Sequence, residues 1–459
     1  MNDRRRPSPR WSVLPRLRSR LESADPVLKI LGLSTLIGTL GRGVFLTVTV
    51  LYFSFIVGLS AAEISIVVGA SSATGIATSL IGGQLADRFS ARRVLLGALA
   101  IESFGLVAYS FVGEFGMAVV VACIAFGSET AAHSARSAII ARGFEGPGRV
   151  TARAVLRTIT NVGIAVGSAV GGLALLIGTA EAYRAILIGA GVVYFGAALL
   201  TLRLPASVDA PGTSGAPSSE PRDDAPIDGT SAAGAETDLG DAVDAARPSR
   251  WAHSPWRDPR YLLFAALSGV FAMQFGLLEV GVPLWVAHDT EAPKAIVSVL
   301  LILNTVIVIV FQVPLSRGTH ELRRAGRVIG IAGVLMAGAC FVYAAAAGVP
   351  PVWAIVILLA AGTAHAFAEV FSQAGTWGMS FELADPMKAG AYQGIIGTFY
   401  SVGATFAPLV VTATALNLGM PGWGILAAIF LLSAAGMTVI AIRAARAQER
   451  ATAPVTGAA

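Results

Sequence analysis

Nine ionisable side chains stand inside stretches that are otherwise almost free of charge: Arg42, Glu102, Glu129, Arg136, Arg157, Glu279 and Glu369, with His133 and His365. A charge at the centre of a bilayer costs about 2.5–3.5 kcal/mol, so each of these groups needs a partner, water or a task. Four carboxylates face three arginines, so pairing cannot satisfy every carboxylate. Burial without a counter-charge favours the protonated form, and a carboxyl group held that way can carry a coupling proton. Glu129 and Glu369 are the first candidates for that role, followed by Glu102 and Glu279.

Spacing groups these residues. Glu129, His133 and Arg136 fall at i, i+4 and i+7 and share one helical face; His365, Glu369 and Gln373 repeat the pattern at i, i+4 and i+8 in the other half of the chain. Two polar stripes at corresponding places predict a cavity walled by Arg42, His133, Arg136, His365 and Gln373. A structural clamp between Glu129 and Arg136 is the alternative for the first stripe. Arg42, in Gly41-Arg42-Gly43, is flanked by small residues that admit water or substrate, and it could equally be a counter-ion for Glu102 or Glu129. Glu279, near Pro283 and Trp285, could instead snorkel to the surface. Arg153, Arg157 and Asn161 share a face that suits a gate or packing role. Two histidines on distant segments and no thiolate cluster give no metal site, and no cofactor is expected.

The segments that must position these groups dominate the chain. It has 459 residues, a mean hydropathy of +0.70, 55% hydrophobic and 13% charged residues, which excludes a soluble globular enzyme. Twelve apolar segments can be marked, at 28–57, 61–85, 93–113, 116–142, 150–178, 182–204, 259–287, 294–316, 326–347, 351–380, 388–416 and 421–446. Each is about the length a helix needs to cross hydrocarbon, and no alternating strand pattern of the outer-membrane barrel type dominates. The expected fold is an all-α membrane protein of twelve transmembrane helices in two six-helix bundles, 28–204 and 259–446.

Of the 33 lysines and arginines, 28 fall at the termini and in the loops after even-numbered segments, which predicts a multi-pass protein of the plasma (cytoplasmic) membrane with both termini cytoplasmic. Residues 1–27 form a basic cytoplasmic segment, read as uncleaved, whose Trp11, Leu14, Leu17 and Leu21 suit an interfacial segment as well as a solvated tail. The stretch 205–258 begins with an acidic run rich in Pro, Gly and Ser and is expected to be a cytoplasmic, largely disordered linker; 447–459 is a cytoplasmic tail. The net charge of +5 follows this topology and calls for no nucleic-acid partner. Cys123 and Cys340 fall in different halves and form no disulfide framework. The short outer loops leave no room for a catalytic domain, no G-x-x-x-x-G-K-[ST] loop supports nucleotide coupling, and no enzymatic activity is expected.

At the end of the second segment the chain reads Gly83-Gln-Leu85-Ala86-Asp87-Arg88-Phe89-Ser90-Ala91-Arg92-Arg93. This resembles the loop signature G-x-L-A-D-R-x-G-R-[KR] of the major facilitator superfamily, with Ser90 in place of a glycine and Ala91 in place of a basic residue. The resemblance makes Gly83, Leu85, Asp87, Arg88 and Arg92 gate residues and places the Asp87 carboxylate opposite the start of the eleventh helix, near Lys388 to Tyr392. In the fifth segment, Gly163-x-x-x-Gly167-Ser168-x-x-Gly171-Gly172 is similar to the superfamily's antiporter motif, with Ser168 where proline stands. Its glycines would let another helix approach closely. The superfamily's mid-membrane arginine of the fourth segment has no counterpart near Ala122. The resemblance implies a secondary transporter that rocks two bundles about a midplane site. The expected function is proton-coupled efflux of drug-like compounds by a monomer whose partners are a small-molecule substrate, protons and lipid. Uptake of a small metabolite by proton symport and a non-transporting receptor or scaffold are the alternatives.

Overall fold

The structure, a computed structural model, describes residues 25–177, 179–209 and 254–452. The basic amino-terminal segment, most of the acidic linker and the end of the tail lie outside the described residues. Twelve long helices follow in order: α1 (Pro26–Leu51), α2 (Ala61–Arg88), α3 (Ala91–Tyr109), α4 (Phe115–Gly143), α5 (Pro147–Ile177), α6 (Ala180–Leu200), α7 (Pro259–Asp289), α8 (Ile296–Leu315), α9 (Leu322–Ala344), α10 (Pro351–Glu382), α11 (Ala389–Val411) and α12 (Met420–Thr452). There is no strand among the described residues. Eleven of these helices are long and apolar enough to cross a membrane. The twelfth, α3, carries Arg92, Arg93 and Glu102 within its 19 residues.

Local chemistry explains the breaks. The Ser60 hydroxyl accepts from the Glu63 N–H at 3.3 Å while the Ser60 N–H donates to Glu63 Oε2 at 2.8 Å, a reciprocal cap that starts α2. Those hydrogen bonds hold the Glu63 carboxyl below its ordinary range. Ser90 caps α3 through its hydroxyl and the Arg93 N–H (3.1 Å), in extended backbone at φ −134°. The loop therefore uses serine, where the superfamily signature has glycine, as a helix start that needs no left-handed residue. Helix α7 is interrupted at Leu277–Gly281 by a π-helical turn that carries Glu279. Such a turn re-aims the side chains beyond it.

Packing separates two halves. In the first, α1 lies against α5 and α6, α2 against α4, and α3 against α4 and α6; in the second, α7 lies against α11 and α12, α8 against α10, and α9 against α10 and α12. Corresponding helices thus make corresponding contacts, as a parallel repeat requires. The halves meet through α2 against α11 and α5 against α8. Trp377, Phe381 and Ala389 of the second half join the amino-terminal core at the end of the molecule that carries Arg88, Arg92, Arg93 and Arg142, here called the basic side. Glu449 near the end of α12 and Arg323 at the start of α9 pair on that same side at 2.7 Å.

Glycines set the closest approaches. A Cβ on Gly167 would strike the backbone of Leu40, and one on Gly43 would lie 2.7 Å from the Ser168 amide nitrogen, so α1 and α5 touch backbone to backbone. The Ser168 hydroxyl donates to the Gly43 carbonyl at 3.2 Å, a cross-helix bond that a proline could not make. Gly163 and Gly171 face α1 as well, whereas nothing lies near Gly172, so that residue is no part of the contact.

Candidate functional site

The basic side is closed by Asp87. Its Oδ1 accepts the Gly390 N–H at 2.8 Å, its Oδ2 accepts the Ala391 N–H at 2.6 Å, and Arg142 pairs with it from α4. The two amides are the first free donors of α11, so an anion meets both hydrogen-bond donors and the positive end of the helix dipole. Gly83 and Gly390 permit the approach: a Cβ on Gly390 would sit 2.5 Å from the Gly83 carbonyl. Arg142 also donates to the Ala86 carbonyl at 3.1 Å. The same interface continues inward through the Ser79 hydroxyl on the Gly394 carbonyl (3.3 Å) and the Thr398 hydroxyl on the Ile76 carbonyl (3.3 Å).

The other signature residues sit apart from this contact. Arg92 donates its backbone N–H to Asp209 Oδ1 (3.0 Å) and its guanidinium to the Leu204 carbonyl (2.9 Å), so it ties the first turn of the linker to α3. Residues 206–208 form a 3-10 turn there with Val208 buried, so the linker is ordered where it leaves the bundle. Arg88 lies over the Phe89 ring, 5.5 Å from its centroid, and Leu85 is exposed.

At mid-depth Glu129 pairs with Arg42 of α1 and not with Arg136 of its own helix. The Arg42 side chain is 40% exposed and that of Glu129 22%, so the pair borders open space. Glu102, 6% exposed, accepts the Tyr194 hydroxyl at Oε1 (2.6 Å), while its Oε2 is buried with no hydrogen-bond partner. These four residues form the floor of a cavity of about 210 Å³ inside the amino-terminal bundle. Its walls are aromatic and small: Phe45, Phe53, Tyr109 and Phe126 with Thr49, Ser71 and Ser72. Two carboxylates therefore face one arginine in a largely apolar chamber.

A second ion pair crosses between the bundles. Arg157 of α5 donates to Glu369 Oε1 of α10 at 3.0 Å, and Asn304 of α8 donates to Oε2 at 3.0 Å. Glu369 is 2% exposed and both its oxygens are engaged. His365 is 1% exposed and packs edge-on to Tyr343 with centroids 6.1 Å apart, within the core that Trp285 and Trp423 complete. The expectation that His365 walls the cavity is corrected accordingly. A helix turns about 100° per residue, so positions four apart drift by about 40°, and Glu369 reaches the inter-bundle seam while His365 faces inward. Gln373 is half-buried one turn further along.

His133 is exposed, and its electrostatic neighbours Arg153, Arg136, Arg42 and Arg157 place it towards the centre of the molecule, not towards lipid. Glu279 is exposed too, with Arg42, Glu369 and Arg157 as electrostatic neighbours, so it stands on the side of α7 that faces those charges. There is no cluster of three metal-ligating side chains among the described residues.

Tyr194, Asn304 and Arg142 complete these sites, and the sequence reading passed over all three. Asn304 carried a signal, being with Gln312 one of two amides in the most apolar of the helices, with a mean hydropathy of 2.7. Tyr194 and Arg142 carried none, since a tyrosine in a span and an arginine at its basic end are ordinary.

The comparisons with known proteins agree with this architecture. The family model of the Major Facilitator Superfamily matches residues 31–408, and the chain belongs to that family of transporters. Among solved structures it is similar in fold to the human organic anion transporter MFSD10 (TETRAN), at 15% identity and a TM-score of 0.62, covering 90% of this chain and all of that one. It is also similar to the proton:xylose symporter XylE bound to 6-bromo-6-deoxy-D-glucose, at 15% identity and a TM-score of 0.61 over 89% of this chain and 94% of that one. The transporter FucP in the outward conformation matches at 13% identity and a TM-score of 0.59, over 91% and 98%. No curated protein matches the sequence.

Proposed function

We propose that this protein is a proton-coupled secondary transporter that exports small drug-like molecules across the cytoplasmic membrane as a monomer, with the basic side and both termini in the cytoplasm. The two bundles rock about the α2–α11 and α5–α8 seams, joined by the linker. The positive-inside distribution supports the orientation. With the basic side sealed by Asp87, this conformation is the one closed to the cytoplasm.

The observation that carries proton coupling is Glu102. It lies beside the Arg42–Glu129 pair at the floor of the cavity, one of its oxygens is buried and unpartnered, and it forms no ion pair of its own among the described residues. A proton on Oε2 of Glu102 removes that unpaired negative charge. Glu369, already held by Arg157 and Asn304, suits a cross-bundle latch better than a proton carrier. Export is supported by the glycine face of α5 against α1, where the residues similar to the antiporter motif make direct backbone contact.

The test is accumulation of a panel of dyes in inverted membrane vesicles with an imposed pH gradient. Glu102→Gln and Glu129→Gln should each abolish gradient-driven accumulation while leaving dye exchange at zero gradient. If both variants retain gradient-driven accumulation, the coupling assignment fails; if right-side-out vesicles accumulate dye instead, the direction is uptake.

A further inference from the structure

We infer that Arg136 and Arg153, on facing helices α4 and α5, form a subsite for an oxyanion carried by the transported molecule, a carboxylate or sulfonate on an otherwise apolar body. The inference rests on the transporter reading and names the substrate class.

The argument is a balance of charges. Arg42, Arg136, Arg153 and Arg157 influence one another electrostatically within one region of the molecule. Glu129 matches Arg42, and Glu369 matches Arg157. Neither Arg136 nor Arg153 forms an ion pair among the described residues. The carboxylates whose charge reaches Arg136 are Glu129, paired with Arg42, and Glu102, the group proposed to carry the coupling proton. Around Arg153 the charged or titratable groups are Arg136, Arg157, Tyr261 and His133, none of them a carboxylate.

The single protein partner of Arg153 fits a site left open. Its guanidinium donates to the Ser137 hydroxyl, whose own proton goes to the His133 carbonyl at 2.8 Å. That contact is neutral and uses one of the five N–H donors of an arginine. Topology alone does not account for Arg136, which stands seven residues, or about 10 Å of helix rise, inside the basic end of α4. Once Glu102 carries its proton, as the coupling reading has it, Arg136 is left without a counter-charge and Arg153 has none beside it, and a planar oxyanion answers both half-buried guanidinium groups through paired N–H donors. His133, exposed one turn from Arg136, marks the open side of the site. Opening the α2–α11 seam would admit the ligand from the basic side, where an exporter loads.

The experiment uses the full chain in detergent and two xanthene dyes of similar size, anionic fluorescein and cationic rhodamine 6G, with binding read by fluorescence anisotropy. The unaltered protein should bind fluorescein. Arg136→Gln and Arg153→Gln should each weaken it by about tenfold, the loss expected for one charge-assisted hydrogen bond, and leave rhodamine 6G unchanged. Arg136→Lys, which keeps the charge but loses the paired donors, should bind fluorescein more weakly than the unaltered protein and more tightly than Arg136→Gln, and it serves if the glutamine variant elutes as aggregate. No fluorescein binding by the unaltered protein, or equal weakening of both dyes, overturns the subsite. Because binding is read without a gradient, arginine-dependent binding with no gradient-driven flux would sink the proposed function alone, and flux without arginine dependence would sink the subsite alone.

Discussion

At the cavity floor Glu129 pairs with an arginine and Glu102 forms no ion pair among the described residues, whereas at the bundle seam one carboxylate takes an arginine and an amide. These unequal balances separate the roles of chemically identical side chains. The Arg157–Glu369 pair bridges two rigid bodies, so removing one partner strands the other in a poorly hydrated place. Arg157 is 27% exposed, which tempers the cost. Glu369→Ala should lower the apparent unfolding temperature and Arg157→Gln should do likewise, while the double variant loses less than the sum. A thermal-shift double-mutant cycle reads this coupling, expected at about 1–2 kcal/mol. Strict additivity would mean that the pair carries no net interaction.

Among the helices, the glycines of α5 illustrate how one motif divides by contact. Gly167 lies against the backbone of Leu40, where nothing can give way, whereas Gly172 faces open space. Gly167→Val should destabilise the bundle by about 1–3 kcal/mol or prevent its assembly, since overpacking against backbone cannot relax. Gly172→Ala should fall within about 0.5 kcal/mol of the unaltered protein. Tryptophan fluorescence during thermal unfolding compares the two, and equal effects would contradict the packing described. The π-helical turn of α7 matters in the same way. Without the extra residue per turn, Glu279 would rotate off the side of α7 that faces Arg42 and Arg157.

For the whole molecule, the proposed rocking of the two bundles makes Asp87 the residue to test. Its carboxylate collects two backbone N–H bonds from α11, which break when the seam parts, and the Arg142 guanidinium of its own bundle, which stays with it. Asp87→Asn keeps an acceptor but loses the charge, so it should shift the population towards the state open on the basic side. Ser79, 2% exposed against Gly394, reports that opening. In a background lacking Cys123 and Cys340, a cysteine at position 79 should react with a maleimide about tenfold faster when Asp87→Asn is present, the factor that about 1.4 kcal/mol represents. Dye affinity should change little and turnover should fall. An unchanged labelling rate would remove Asp87 from the gate.

The membrane class, the helical spans and the signature loop were legible because hydrocarbon imposes its length and polarity on every segment separately. The glycine spacing of α5 and the lone buried charges were legible for the same reason, each being anomalous against an apolar background. Partner choice was not. Arg42 of α1 reaches Glu129 of α4 across the cavity of the amino-terminal bundle, and Glu369 of α10 meets Arg157 of α5 across the seam between the bundles; a stripe on one helix cannot disclose what faces it. The sequence left Glu129 and Glu369 ahead of Glu102, and the proposal of Glu102 draws on the packing of α3 against α6, which sets Tyr194 on one oxygen and nothing on the other. His365 was misread for a related reason: four residues share a face only to within about 40°, and which side of that angle meets water is a property of the assembled bundle.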